Sequence, residues 1–62
     1  MNYTVVFTDN QKIEVINVNN IEYSANWEYI EFKDTNHKLL LIVEQHSFKY
    51  CVKEIEDDTN SN

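Results

Sequence analysis

Five consecutive large apolar residues, 39–43, constrain the fold of this chain more than any other stretch, because they cannot turn one face to water. In a β-strand, side chains alternate between the two faces, so both faces of this segment need cover. One face would carry Leu39, Leu41 and Val43, and the other would carry Leu40 and Ile42. We expect the second face to be covered by closure of a barrel, by a helix or by another copy of the chain. On the last alternative, Leu40 and Ile42 form an oligomer interface.

The length of 62 residues indicates one small domain with a marginal core. Cys51 is the only cysteine, so no disulfide within the chain can add stability, and a homodimer or higher oligomer is expected instead. A disulfide between the Cys51 residues of two copies is an alternative. The N-terminus lacks the basic and apolar regions of a signal peptide, which predicts a cytoplasmic protein. We assign residues 1–56 to a single all-β domain and residues 57–62 to a disordered acidic tail.

Eleven acidic residues oppose five lysines, and the chain contains no arginine, so the net charge is -6. This charge repels phosphate groups, and arginine is the side chain best suited to pair with them. Direct nucleic-acid binding is therefore disfavoured, as is membrane insertion, since the longest apolar run is far too short to cross a bilayer. A basic protein is the partner that the charge admits. Alternatively, the acidity serves solubility alone.

The chain contains neither glycine nor proline, so each turn that needs a positive φ angle is expected to use Asn or Asp. The lack of glycine also excludes the glycine-rich phosphate loop, the dinucleotide-binding fingerprint and the nucleophile elbow. The abundance of Asn, Ile, Lys, Tyr and Phe is typical of AT-rich coding sequences.

Alternating apolar and polar residues predict short strands and no long helix. The expected strands are 2–8, 12–15, 21–23, 27–33, 39–43 and 48–55, with a two-residue hairpin turn at Asp9 and Asn10 and a single helical turn near 44–47. At Val15 and Ile16 the alternation changes phase, which predicts a kink, with Ile16 and Val18 then sharing one face. The fold class is all-β, a five- to six-stranded antiparallel meander. The architecture we expect first is an SH3-like or OB-like barrel, and the alternative is an open sheet that dimerises. For residues 21–32 a helix is the competing local prediction.

No constellation of catalytic or metal-binding residues is evident. His37 and His46 fall in predicted turns, and neither has a zinc-ligand spacing to Cys51, so no metal or cofactor is expected. A Cys51–His nucleophilic pair is disfavoured because Cys51 lies within a predicted strand, where it packs as a small apolar residue. A small nuclease or hydrolase is accordingly the weakest of the functional alternatives.

Trp27 and Tyr29 are the clearest candidates for contact with a partner. If Ile30 and Phe32 face the core, Trp27 and Tyr29 face outward, and exposed aromatic residues are common at interfaces. In the alternative, both belong to the core or to a dimer face. The acids expected to accompany them, as substitutes for phosphate groups, are Glu14, Glu22, Glu28, Glu31, Glu54, Glu56, Asp57 and Asp58. The tail acids could instead be solvated only.

In its shortness, acidity, lack of glycine and codon bias, the chain resembles the small proteins that phages and prophages of low-GC bacteria carry. The opening strand and polar hairpin, from Tyr3 to Asn10, is similar in style to those of many such proteins. This class includes anti-CRISPR proteins and other anti-defence inhibitors. The resemblance implies a non-enzymatic inhibitor of a host defence or nucleic-acid-processing protein, acting in the bacterial host cytoplasm. The alternative is a self-assembling structural or accessory β module.

Overall fold

Six β-strands and a single 3-10 turn make up the computed structural model, which describes residues 1–55. The strands are β1 Tyr3–Phe7, β2 Lys12–Val15, β3 Asn20–Tyr23, β4 Tyr29–Lys33, β5 Leu39–Glu44 and β6 Phe48–Lys53, and the 3-10 turn is Gln45–Ser47. The predicted all-β class and the predicted helical turn are thereby confirmed. The competing helix across 21–32 does not form, because two strands occupy that region. The predicted tail, 57–62, lies outside the described residues.

The strands form two antiparallel three-stranded sheets. Sheet A has the order β2-β1-β6, and sheet B has the order β3-β4-β5. The predicted barrel is wrong, because the described sheets stay open: β2 does not pair with β3, and β5 does not pair with β6. Both transitions between the sheets interrupt the backbone ladder, one by a bend at 16–19 and the other by the 3-10 turn. Neighbouring strands thus pass from one sheet to the other without pairing.

The core lies where the central strands of the two sheets bring their inner side chains together. Val5 of β1 and Phe32 of β4 are fully buried, and the ring of Tyr3 meets that of Phe32 edge-on at 6.2 Å. The remaining buried members of this cluster are Val15, Val18, Ile30 and Val43. The predicted inward direction of Ile30 and Phe32 is confirmed. Full burial of a side chain such as Phe32 contributes about 1.5–3 kcal/mol.

The predicted kink after β2 is present, but it separates the two residues that were expected to share a face. Asn17 adopts a left-handed conformation with a φ angle of 62°, which asparagine tolerates better than most residues. Because this residue reverses the backbone, Val18 is 2% exposed while Ile16 is 54% exposed. The Val18 amide donates to the Met1 carbonyl at 2.7 Å, which holds Val18 in place.

The hairpin between β1 and β2 is longer than the predicted two-residue turn. The Phe7 amide donates to the Gln11 carbonyl at 2.9 Å, and the Asn10 amide donates to the Phe7 carbonyl at 2.8 Å. These bonds enclose the three-residue loop 8–10. Of this loop, Asn10 alone has a positive φ angle, 71°, as is usual for a three-residue hairpin that ends in a left-handed residue.

The hairpin between β4 and β5 repeats this pattern with histidine at the left-handed position. The Asp34 amide donates to the Lys38 carbonyl at 3.0 Å, and His37 has a φ angle of 63°. The Asp34 carboxylate accepts the amides of Asn36 and Lys38, which tightens the loop. The prediction that Asn or Asp fills every position of positive φ angle holds at Asn10 and Asn17 and fails at Trp27 and His37, where larger residues adopt the left-handed conformation at some cost in energy.

The outer face of β5 is open, so neither of the two expected covers from within the chain, a closed barrel or a helix, lies over it in the described residues. Leu40 and Ile42 are 39% and 46% exposed. Since β5 is an edge strand, it has a neighbour on one side only, and its outer face belongs to the outer face of sheet B.

Val18 and Ile16 give a direct test of the bend. Val18→Ala should lower the free energy of unfolding by about 2 kcal/mol, because it removes buried methyl groups and leaves a cavity. Ile16→Ala should change it by less than about 0.5 kcal/mol, since Ile16 lies at the surface. Chemical denaturation measures both values. Equal losses in the two variants would show that Ile16 and Val18 share one face after all.

The strain at His37 can be measured by exchanging two small residues there. Because alanine at a positive φ angle is disfavoured and glycine is not, His37→Gly should be more stable than His37→Ala by about 1 kcal/mol. At Thr35, which has no positive φ angle, the order should reverse. The denaturation midpoints of the four variants, with Gly or Ala at position 37 and with Gly or Ala at position 35, measure both differences. A glycine that is no better than alanine at position 37 would contradict the left-handed assignment.

Candidate functional site

A cleft of about 410 Å³ lies at one end of sheet B, where the loop between β3 and β4 meets the 3-10 turn that follows β5. We call it the Trp27 cleft. Its lining residues are Trp27, Glu28, Tyr29, Glu44, Gln45 and His46. The cleft brings together three of the predicted partner-binding residues, Trp27, Glu28 and Tyr29, with three that were not predicted to bind a partner.

Ser24 organises the loop that carries Trp27. Its hydroxyl oxygen accepts the backbone amides of Glu28 and Tyr29, each at 3.0 Å. Its carbonyl accepts the Trp27 amide at 2.9 Å, and its own amide donates to the Tyr29 carbonyl at 2.9 Å. Four hydrogen bonds to one residue therefore stabilise this conformation of the loop. On the other side of the cleft, the Gln45 amide donates to the Glu28 carbonyl at 2.8 Å.

Trp27 is held in an exposed and strained position. It is 62% exposed, and its φ angle of 60° is unusual for a bulky residue. Such a conformation costs on the order of 1–3 kcal/mol and persists only where the surroundings impose it. The indole packs on the ring of Tyr23, with centroids 5.0 Å apart. The predicted strand 27–33 in fact begins at Tyr29, and the alternative in which Trp27 and Tyr29 belong to the core is wrong, since both are exposed.

Two carboxylate residues line the same cleft as Trp27 and Tyr29. Glu28 and Glu44 line the cleft, and the Glu44 carboxylate lies 3.3 Å from Nε2 of His46. An aromatic face next to a carboxylate is suited to a lysine or arginine side chain, because the ring attracts the cation and the carboxylate pairs with it. The cleft thus has the chemistry to bind a basic side chain.

Two other predicted acids lie on the outer face of sheet B, where a lysine partly neutralises them. Nζ of Lys33 is 3.0 Å from Glu22 and 3.4 Å from Glu31. The hydrogen bond and charge of Lys33 lower the pKa of Glu22, and the same contacts raise the pKa of Lys33. These carboxylates already have a cationic partner, so they are less available to another protein.

Glu14 and Glu54 lie on the outer face of sheet A, away from the acids of sheet B. Thr4 pairs with Glu14 in the sheet, and its hydroxyl donates to the Glu54 carboxylate at 2.9 Å. A hydrogen bond to Glu54, together with repulsion between the two carboxylates, raises the pKa of Glu14. The remaining predicted acids, Glu56, Asp57 and Asp58, lie outside the described residues. The described acids therefore occupy separate faces of the molecule and do not form one phosphate-like surface.

The sequence analysis did not assign Ser24, Glu44, Gln45 or His46 to a partner-binding site, and it considered His46 only as a metal ligand or as a partner of Cys51. A serine that opens a turn and can bond to the amides ahead of it is a recognisable local pattern, so Ser24 could have been found. Glu44 and His46 could not, because they lie far from Trp27 in the chain. They reach the cleft only because β4 and β5 pair in a register that sets Tyr29 opposite Glu44.

Other chemistry has little support in the described part of the chain. Residues 1–55 contain no group of three or more His, Cys, Asp or Glu side chains placed to hold a metal ion. Partial burial raises the pKa of the Cys51 thiol, which disfavours the nucleophilic thiolate. Within the same residues there is no helix with the length and apolarity needed to span a membrane. Comparisons with protein-family models, curated proteins and solved structures find no match to this chain.

The two glutamates with shifted pKa values should affect stability in opposite directions. Glu14 has a raised pKa, so its stabilising contribution to the folded state is present below its ordinary pKa of 4.5 and is lost as the pH rises. Glu22 has a lowered pKa, so its stabilising contribution to the folded state is present above its ordinary pKa of 4.5 and is lost on acidification. At neutral pH, Glu14→Gln should therefore raise the denaturation midpoint, and Glu22→Gln should lower it. The same direction of change in both variants would contradict this arrangement.

Proposed function

We propose that this chain is a small non-enzymatic binding protein that captures a basic partner protein through the Trp27 cleft. The observation that carries the proposal is Trp27 itself, a large aromatic residue kept exposed and strained by a network of hydrogen bonds to Ser24. An interface residue fixed before binding loses little conformational entropy when the partner arrives. Tryptophan and tyrosine are also the residues that most often dominate binding energy.

The chemistry of the cleft indicates the kind of group it would receive. A lysine or arginine side chain of the partner would lie against Trp27 and Tyr29, with Glu28 and Glu44 available to pair with its charge. The net charge of -6 would steer a basic surface toward the protein over a longer range.

A host defence or nucleic-acid-processing protein is the partner class we propose, because such proteins present basic surfaces where they hold nucleic acid. Occupation of that surface would make the protein an inhibitor of the phage type. Since the described acids lie on separate faces, the aromatic cleft is the proposed anchor, and the acids of sheets A and B contribute through the overall field.

Capture from a lysate of a low-GC bacterium, followed by titration of the captured protein, tests the proposal. Trp27 is the only tryptophan of this chain, so its fluorescence reports contact at the cleft directly. Where the partner contains tryptophan as well, difference spectra separate the two signals. We expect Tyr29→Ala combined with Glu28→Gln to weaken binding by about a hundredfold, from loss of an aromatic anchor and a charge pair. Added salt should weaken the complex steeply.

A matched control lies on sheet A. Tyr50→Ala combined with Glu14→Gln removes an exposed aromatic residue and a carboxylate from that outer face, and it should leave the affinity within about twofold of the parent. Equal weakening by both double variants would contradict the assignment of the cleft. Binding that is insensitive to salt would reject the role of charge and leave the aromatic contact standing.

A further inference from the structure

The Trp27 cleft contains a histidine beside one of its two carboxylates. Of the residues that line the cleft, His46 is the one whose side-chain type ordinarily changes charge between pH 5 and pH 8. Glutamate and tyrosine side chains ordinarily titrate outside that range. The charge inside the cleft near neutral pH therefore depends on the protonation of His46.

The geometry places the imidazole in direct contact with Glu44. Glu44 ends β5, and His46 is the second residue of the 3-10 turn that follows. Nε2 of His46 lies 3.3 Å from the Glu44 carboxylate, and the two side chains are 81% and 55% exposed. The amide of Gln45, between them, donates to the Glu28 carbonyl at 2.8 Å, which joins the turn to the loop of Trp27. An approaching partner can therefore reach both side chains.

The two charge states of His46 affect Glu44 differently. A neutral imidazole can donate a hydrogen bond to the carboxylate and leaves its negative charge in place. An imidazolium cancels that charge and adds a positive charge to the cleft. A lysine or arginine side chain of a partner would then find the carboxylate already paired and a like charge beside it. The imidazolium and the cation of the partner thus compete for Glu44.

The charged groups on the neighbouring elements are held elsewhere. Loop 8–10 is joined to the 3-10 turn by a backbone hydrogen bond of 2.9 Å, and it carries Asp9, whose carboxylate accepts a backbone amide of its own hairpin at 3.0 Å. β6 carries Lys49, whose ammonium group donates to a side chain of that hairpin at 2.9 Å. In the described part of the chain, the two cleft glutamates are thus the charged groups that share the cleft with His46.

We propose that His46 makes the capture of a basic partner pH-dependent, because its protonated form competes with the partner for Glu44. The inference rests on the proposed function of the Trp27 cleft. The cleft binds a lysine or arginine side chain near pH 7.5 and holds it less tightly as His46 gains a proton. Exposed ion pairs are weak, so we expect the affinity to fall by about fivefold between pH 7.5 and pH 5.5.

A dye-labelled hexa-arginine peptide is a suitable probe, because its guanidinium groups keep their charge throughout this range. Fluorescence anisotropy of the dye gives its affinity for the full chain at the two pH values. In His46→Gln the fall should shrink to less than about 1.5-fold. His37→Asn is the matched control, since His37 is the other histidine of the chain, lies outside the cleft and has a positive φ angle that asparagine tolerates. It should keep the fall of the parent chain.

The possible failures of this inference and of the proposed function differ. A fall that persists in His46→Gln, or a parent affinity that is the same at both pH values, would overturn the inference. Loss of the fall in both histidine variants would overturn it as well, because the effect would not be specific to the cleft. If the double variant Tyr29→Ala with Glu28→Gln binds the probe as tightly as the parent at pH 7.5, the cleft itself is rejected as the site, and the inference with it.

Discussion

The burial of two central strands against each other is the constraint on which the rest of this structure depends. Val5 and Phe32 lie at the middle strands of the two sheets, and both are fully enclosed. A chain this short has no disulfide within it to assist folding, so the contact between the sheets must supply most of its stability. Each sheet can cover only its inner face in this way, which leaves two outer faces for other purposes.

This arrangement leaves two different parts of sheet B open. The Trp27 cleft lies at the end of the sheet, where a loop and a 3-10 turn meet. The β5 edge lies along its side and presents backbone groups as well as apolar side chains.

Absence of glycine shapes the loops of this protein. Four residues, Asn10, Asn17, Trp27 and His37, occupy left-handed conformations that glycine would adopt without strain. At Asn10 and Asn17 the residue type made the conformation predictable. At Trp27 and His37 it did not, because hydrogen bonds across each loop impose a conformation that the side chain itself disfavours. Local preference is weak compared with closure of a hairpin by several bonds.

Alternation of side chains was enough to determine the all-β class, the approximate positions of the strands apart from the start of β4, the inward direction of Ile30 and Phe32 and the outward direction of Tyr29. These depend only on neighbours within one strand. Tertiary structure alone decided that Val18 is buried while Ile16 is not, that the two sheets stay open, and that Trp27 and His46 line one cleft. Each of these outcomes depends on how backbone bends and strand registers join residues distant in the chain, and the alternation pattern contains no information about them.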